Sequence, residues 1–176
     1  HTRFNHAIGA MHLMDEAIET LRQKGFDITA DEKQAALTAI LLHDVGHGPF
    51  SHALEHSLIH HVSHEDISLK LMERLNQNLQ GGLDTAIRIF TGTYSKPYLH
   101  QLVSSQLDVD RLDYLTRDSF FTDVSEGVIG TARVLKMMTI AGDDLAVEEK
   151  GIYSVERFII ARRLMYWQVY FHKTVV

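Results

Sequence analysis

The sequence predicts an all-α fold carrying at most one small β-hairpin. Three observations lead there. Only two prolines, Pro49 and Pro97, interrupt 176 residues, so long helices are permitted almost everywhere. Apolar residues recur every three or four positions along most of the chain. Hydrophobic residues make up 45% against 23% charged, which supplies apolar material for a packed core and argues against disorder.

The elements follow in order. Ala7, Ala10, Met11, Met14, Ile18 and Leu21 share one helical face, and Gly25 stops that helix. Asp31 is placed to cap a second helix through Ala35, Ala36, Ala39, Ile40 and Leu42. That helix is apolar nearly all round, so it belongs in the centre. It must break at Gly46-His47-Gly48-Pro49. Ser63-His64-Glu65-Asp66 resembles a capping box, followed by Ile67, Leu71, Met72, Leu75 and Leu79 on one face. After Gly81-Gly82, helices are expected over Leu83 to Phe90, Tyr98 to Gln106, Asp108 to Phe121 and Val128 to Ile140. A hairpin is expected near 145–154, its strands flanking Lys150-Gly151, before Ser154 caps a last helix through Phe158 and Tyr166.

One domain over residues 1–176 is the expectation. It reads as a piece of a longer protein, because the chain opens on His1 with motif-like residues already before His6. No apolar run is long enough to span a bilayer, and no signal peptide is visible. The absence of cysteine excludes disulfides, thiol nucleophiles and Cys-ligated zinc, and fits a cytoplasmic protein. A net charge of -6 gives no basic footprint for nucleic acid, so a duplex-binding scaffold is disfavoured.

Histidine is the unusual component. There are 12, and most lie between His43 and His64. His43-Asp44 closes the most buried expected helix, where an ionised Asp is costly unless paired or bound to a metal. The surrounding run, His43-Asp44-Val45-Gly46-His47-Gly48-Pro49-Phe50-Ser51-His52, has more imidazoles than a turn needs. Further along, Asp110, Tyr114 and Arg117/Asp118 share a helix face by spacing. A polar stripe of that kind is either a solvated face or the wall of a wet pocket, and a tyrosine between carboxylates favours the wall.

The His43–His52 run resembles the central motif of the HD-domain metal-dependent phosphohydrolases. Its longer form, His-Asp-x-Gly-His-x-Pro-x-Ser-His, is similar to their deoxynucleoside triphosphate triphosphohydrolase (dGTPase-like) branch. Arg3-Phe4-Asn5-His6-Ala7-Ile8-Gly9 resembles that branch's first motif, with Asn5 where an acidic residue is common. Asp108-Val109-Asp110-Arg111-Leu112-Asp113-Tyr114 through Asp118 and Tyr170-Phe171-His172-Lys173 resemble two later blocks, in the right order. The resemblance implies an HD-domain helical bundle.

It also implies one divalent metal ion held by His6, His43, Asp44 and Asp110. Two imidazoles and two carboxylates suit Fe, Mn, Zn, Ni or Mg. His47 and His52 would line the α-phosphate, His64 could protonate the leaving oxygen, and Glu55 and Glu65 are acidic partners; His52 and His64 both stand as the acid. Arg3, Arg111, Arg162 and Lys173 are the phosphate-binding candidates. Tyr114, Asp118 and Tyr170 would border the sugar, and Tyr166 is read as core. His56, His60 and His61 match no motif and are expected on the surface.

The implied reaction is hydrolysis of deoxynucleoside triphosphates to deoxynucleoside and tripolyphosphate. Alternatives are another nucleotide phosphomonoesterase or phosphodiesterase, and a nucleotide-sensing module without turnover. The resemblance further implies a nucleotide activator and a homo-oligomer, with no membrane partner.

Overall fold

The structure, a computed structural model, describes residues 1–48 and 63–171. Helix α1 (Arg3–Gln23) starts where the Thr2 side chain accepts the Asn5 N–H. Its buried stripe is His6, Ala7, Ala10, Met14, Ala17, Ile18 and Leu21, close to the expected face. Gly25, at φ 90°, lets the chain turn back, as expected from sequence. Helix α2 (Ala30–Leu42) is capped by Thr29 rather than Asp31. The Thr29 hydroxyl accepts from Glu32 N–H and the Glu32 carboxylate accepts from Thr29 N–H, so Thr29-x-x-Glu32 is the true box.

Ser63 and Asp66 form the expected box at the start of α3 (His64–Asn78). This helix buries Ser68 and Met72, while Leu71, Leu75 and Leu79 are exposed. It leans on its neighbours through a face one notch from the leucine row. Two short helices follow, α4 (Asp84–Phe90) and α5 (Pro97–Val103), the second opening on Pro97. Helix α6 (Val109–Thr122) begins at Asp108, whose carboxylate accepts the Arg111 N–H, and ends at Asp123 in the left-handed region.

Helix α7 (Thr131–Met137) is shorter than expected, because residues 138–141 leave it to form a strand. Strands β1 (Met138–Ala141) and β2 (Asp144–Val147) pair antiparallel, Met138 with Val147 and Ala141 with Asp144. The hairpin therefore lies upstream of the expected turn. Gly142, at φ 64°, opens a two-residue turn with Asp143, a geometry tight hairpins favour. Lys150-Gly151 instead falls in a single 3₁₀ turn, and α8 (Ile152–Met165) begins there without a Ser154 cap. Past Met165 the helix widens into a π-turn over Tyr166–Tyr170, closed by Phe171 N–H to the Tyr166 carbonyl at 2.8 Å.

The all-α expectation with a single small hairpin holds. Helices α1, α2 and α6 meet in one core with Met14, Ile18, Leu21, Ile40, Leu112 and Leu115, and α8 adds Phe158 and Met165. Each such side chain contributes about 1.5–3 kcal/mol by leaving water. This packing fixes three helix termini against one another: the start of α1, the end of α2 and the start of α6. No helix among the described residues is long and apolar enough to cross a membrane.

Candidate active site

Those three termini carry His6, His43-Asp44 and Asp110. His6 is buried on the inner face of α1. Its Nδ1 lies 2.7 Å from Asp113 Oδ2, and its Nε2 lies 3.0 Å from Asp110 Oδ1 and 3.9 Å from Asp44 Oδ2. His43, the last residue capping α2, donates from Nδ1 to the Ile40 carbonyl. Its Nε2 is thereby turned inward, 3.3 Å from Asp44 Oδ1 and 3.5 Å from Asp110 Oδ1. That buried Nε2 makes no hydrogen bond with the described residues.

The donor set fits a metal ion. Ligand atoms of His6, His43 and Asp110 all lie within 4.8 Å of one another. Donors about 2.1 Å from one ion stand about 3.0 Å apart at right angles and about 4.2 Å apart when opposite. The nitrogen-to-carboxylate separations, 3.0 to 3.9 Å, fall in that interval, and His43 Nε2, which makes no hydrogen bond among the described residues, faces both carboxylates. Asp44 sits beside the cluster as a second carboxylate.

Electrostatics point the same way. Burial pulls the His6 imidazole down, but Asp110 and Asp113 overcome it and hold it at about 9. His43 is also raised, because Asp110 and Asp44 outweigh its burial. Burial pushes the Asp44 carboxyl up, yet His47 and His43 bring it below the usual range. Asp110 is driven down in the same way by His43 and His6. The cluster thus attracts positive charge; a divalent ion can replace the protons it would otherwise hold.

A cavity of about 800 Å³ opens over this cluster. It is lined by Arg3, His6, Asp44, His47, His64, Asp110, Tyr114, Asp118, Arg162 and Tyr170, all sequence-derived site residues. Arg3 Nη1 reaches Asp44 Oδ2 at 3.4 Å, and Arg162 Nη1 donates to Gln106 at 3.2 Å. His47 Nε2 lies 3.4 Å from Asp44 Oδ1, and its ring stacks on His64 with centroids 3.9 Å apart. Tyr170 donates to Asp118 Oδ2 at 2.9 Å and meets the Tyr114 ring edge-on. Burial raises the phenols of Tyr114 and Tyr170 and the carboxyl of Asp118.

Two expected residues stand elsewhere. Arg111 does not line the cavity; its guanidinium pairs with Asp108. Asp108 is fully buried and its carboxyl is pushed up to about 6 by that burial, so it demands the cation. Glu65 is exposed in the first turn of α3, a position the helix dipole favours for a carboxylate, and it does not line the cavity. His52, Glu55, His56, His60, His61, His172 and Lys173 lie outside the described residues.

Other residues join the site unannounced. Tyr166, read as core, is half-exposed and lines the cavity, as does His1. Spacing allowed this for Tyr166, which stands midway between Arg162 and Tyr170. Asp113 touches His6 from behind, and Arg117 pairs with Asp113 rather than facing the cavity.

The family model of the HD domain matches residues 3–118, and that of the HD-associated region matches residues 129–175. An uncharacterized protein of Bacillus subtilis, YwfO, is 36% identical over 98% of this chain and 41% of its own length. A deoxynucleoside triphosphate triphosphohydrolase SAMHD1 homolog of Dictyostelium discoideum is 29% identical over 98% of this chain and 37% of its own. The crystal structure of a phosphohydrolase from Bacteroides thetaiotaomicron is 60% identical, with a TM-score of 0.96 over 99% of this chain and 43% of that one. The chain thus spans about two-fifths of the length of the curated relatives it matches. From the first residue of α1 to the last carboxylate of the cavity wall, this chain belongs to the HD domain family.

Proposed function

We propose that this chain is the catalytic core of a metal-dependent phosphohydrolase that cleaves deoxynucleoside triphosphates into deoxynucleoside and tripolyphosphate. The observation that carries the reading is the meeting of His6, Asp44 and Asp110 with Arg3, Arg162, Tyr114 and Tyr170 around one cavity. Its volume is in the range that small-molecule sites occupy. The Dictyostelium relative, a triphosphohydrolase by name, and the Bacteroides phosphohydrolase support the same class.

A divalent ion held by His6, His43, Asp44 and Asp110 would supply Lewis acidity toward a phosphoryl oxygen and toward water at neutral pH. Arg3 and Arg162 offer guanidinium groups to the phosphate oxygens. Tyr114, Asp118 and Tyr170 form a wall with one ring edge and one fixed hydroxyl for the sugar. As a water oxygen bonds to the α-phosphorus and gives up a proton to solvent, the bond from that phosphorus to the nucleoside oxygen breaks. The departing oxygen takes a proton from His64 or His52, and the stacked His47 holds the His64 ring in place.

The test is product identification. The full-length protein is incubated with each deoxynucleoside triphosphate, with Mn²⁺ or Mg²⁺ and mixed triphosphates as activators. Tripolyphosphate is the expected product. Orthophosphate or a nucleoside monophosphate would replace this reading with a monoesterase or diesterase. Tight binding without turnover in a metal-loaded sample would make the chain a nucleotide sensor.

A further inference from the structure

Gly9 stands inside α1, a helix of 21 residues, where glycine weakens the helix relative to alanine. It is one turn after His6. A Cβ built on Gly9 would fall on Asp113 Oδ1 and Arg117 Nη2. The missing side chain is therefore the space in which the Asp113–Arg117 pair lies against α1. That pair is a two-pronged fork: Arg117 Nε donates to Asp113 Oδ2 at 2.9 Å and Nη2 donates to Oδ1 at 2.8 Å. The carboxylate so held places Oδ2 2.7 Å from His6 Nδ1.

From this geometry we infer that Gly9, Asp113 and Arg117 form a positioning unit for His6. Asp113 accepts the hydrogen bond from Nδ1–H, which fixes the imidazole tautomer and leaves the Nε2 lone pair for an ion shared with Asp110. Arg117 stops the carboxylate from rotating, and Gly9 lets both approach the helix. His43 obtains the same result by a different route, its Nδ1–H donating to the Ile40 carbonyl. The two imidazoles thus present Nε2 to one point, although only one of them has a carboxylate behind it. The inference rests on the metal-centre reading, since an imidazole needs a fixed tautomer when its other nitrogen ligates.

Calorimetric titration of Mn²⁺ into the chelator-stripped full-length protein tests it. Asp113→Asn is expected to weaken Mn²⁺ by roughly 10–100-fold, as loss of a carboxylate behind a ligating histidine does. Gly9→Ala is the second variant, because it raises helix propensity and acts only by displacing the fork. It is expected to weaken Mn²⁺ in the same direction with the helical circular dichroism unchanged. In the Zn²⁺-loaded protein, the His6 Nδ1 proton is expected as a slowly exchanging NMR signal that both variants lose. Wild-type Mn²⁺ affinity in both variants, or an unchanged Nδ1 signal, would overturn the positioning role while leaving the metal centre intact. Failure of the wild-type protein to bind Mn²⁺ or Zn²⁺ would overturn the metal centre and this inference with it.

Discussion

The hydroxyl of Ser68 donates to the backbone carbonyl of His43 at 2.7 Å. The same oxygen accepts the Gly46 N–H at 2.9 Å. One fully buried side chain of α3 therefore pins both ends of the turn that carries Asp44. A Cβ on Gly46 would meet the His64 carbonyl and the Ser68 backbone, so the turn and the first turn of α3 are in direct contact. Ser68 stands one helical turn after His64. The pin thus sets the distance between the His47–His64 stack and the His43–Asp44 pair.

Ser68→Ala is expected to leave two buried backbone groups without partners, at about 1–3 kcal/mol by urea denaturation. Because the turn then loses its anchor, turnover should fall by roughly tenfold to a hundredfold. Stability and turnover both equal to wild type would show that the turn keeps its shape without the hydroxyl.

Much of this arrangement was legible in the sequence, for physical reasons that also mark where legibility stops. The stripe from Ala7 to Leu21 and the Ser63–Asp66 box are local, and local spacing decides them. His6, Asp44 and Asp110 were legible through motif resemblance, since nothing local brings residues so far apart together. The hairpin lies upstream of its expected place because Met138–Ala141 continues the apolar pattern of α7, and the positive φ of Gly142 marks the turn. The sequence offers Arg111 to phosphate because the demand of buried Asp108 is a tertiary fact. Spacing puts Arg117 on the polar stripe with Asp110 and Tyr114, whereas its guanidinium turns to Asp113 behind His6, a contact that depends on α1 and that no local pattern announces.

Metal loading should stabilise the fold. An ion that binds only the native state adds about 2.7 kcal/mol at a hundredfold excess over Kd. For a domain of this size that is roughly 5–10 °C in Tm. Thermal unfolding of the stripped protein with and without Mn²⁺ measures it, and chelator should reverse the gain. Asp110→Ala should abolish the shift; a variant that keeps it would remove Asp110 from the ligand set.

A pH effect is expected away from the cavity, at Glu32. Burial pushes this carboxyl up, but Lys96 Nζ, Thr29 N–H and the Tyr94 hydroxyl, each 2.8 Å from a carboxylate oxygen, hold it below its ordinary 4.5. A carboxyl lowered in the folded state stabilises above its unfolded value, and that contribution is lost as pH falls through the folded value. Glu32→Gln should therefore cost about 1.5–3 kcal/mol at neutral pH. The gap to wild type should narrow once pH drops below the usual carboxylate range. Denaturation curves at neutral and acidic pH decide it, and a gap that stays constant would mean the loss is packing rather than charge.

Tyr170 separates ring from hydroxyl in the cavity wall proposed to border the sugar. Its hydroxyl is committed to Asp118, while its ring meets Tyr114 with centroids 5.9 Å apart. If the ring excludes a ribose 2′-hydroxyl by bulk, Tyr170→Ala should erode the preference for deoxyribonucleotides. A steric barrier of about 1–3 kcal/mol corresponds to a change of roughly 10–200-fold in the ratio of kcat/KM values. Tyr170→Phe keeps the bulk and should hold that ratio near wild type, with a raised KM as Asp118 loses its partner. Parallel kinetics on matched ribo- and deoxyribonucleoside triphosphates measure both. One ratio shared by wild type and the two variants would place the discrimination on other residues of the cavity.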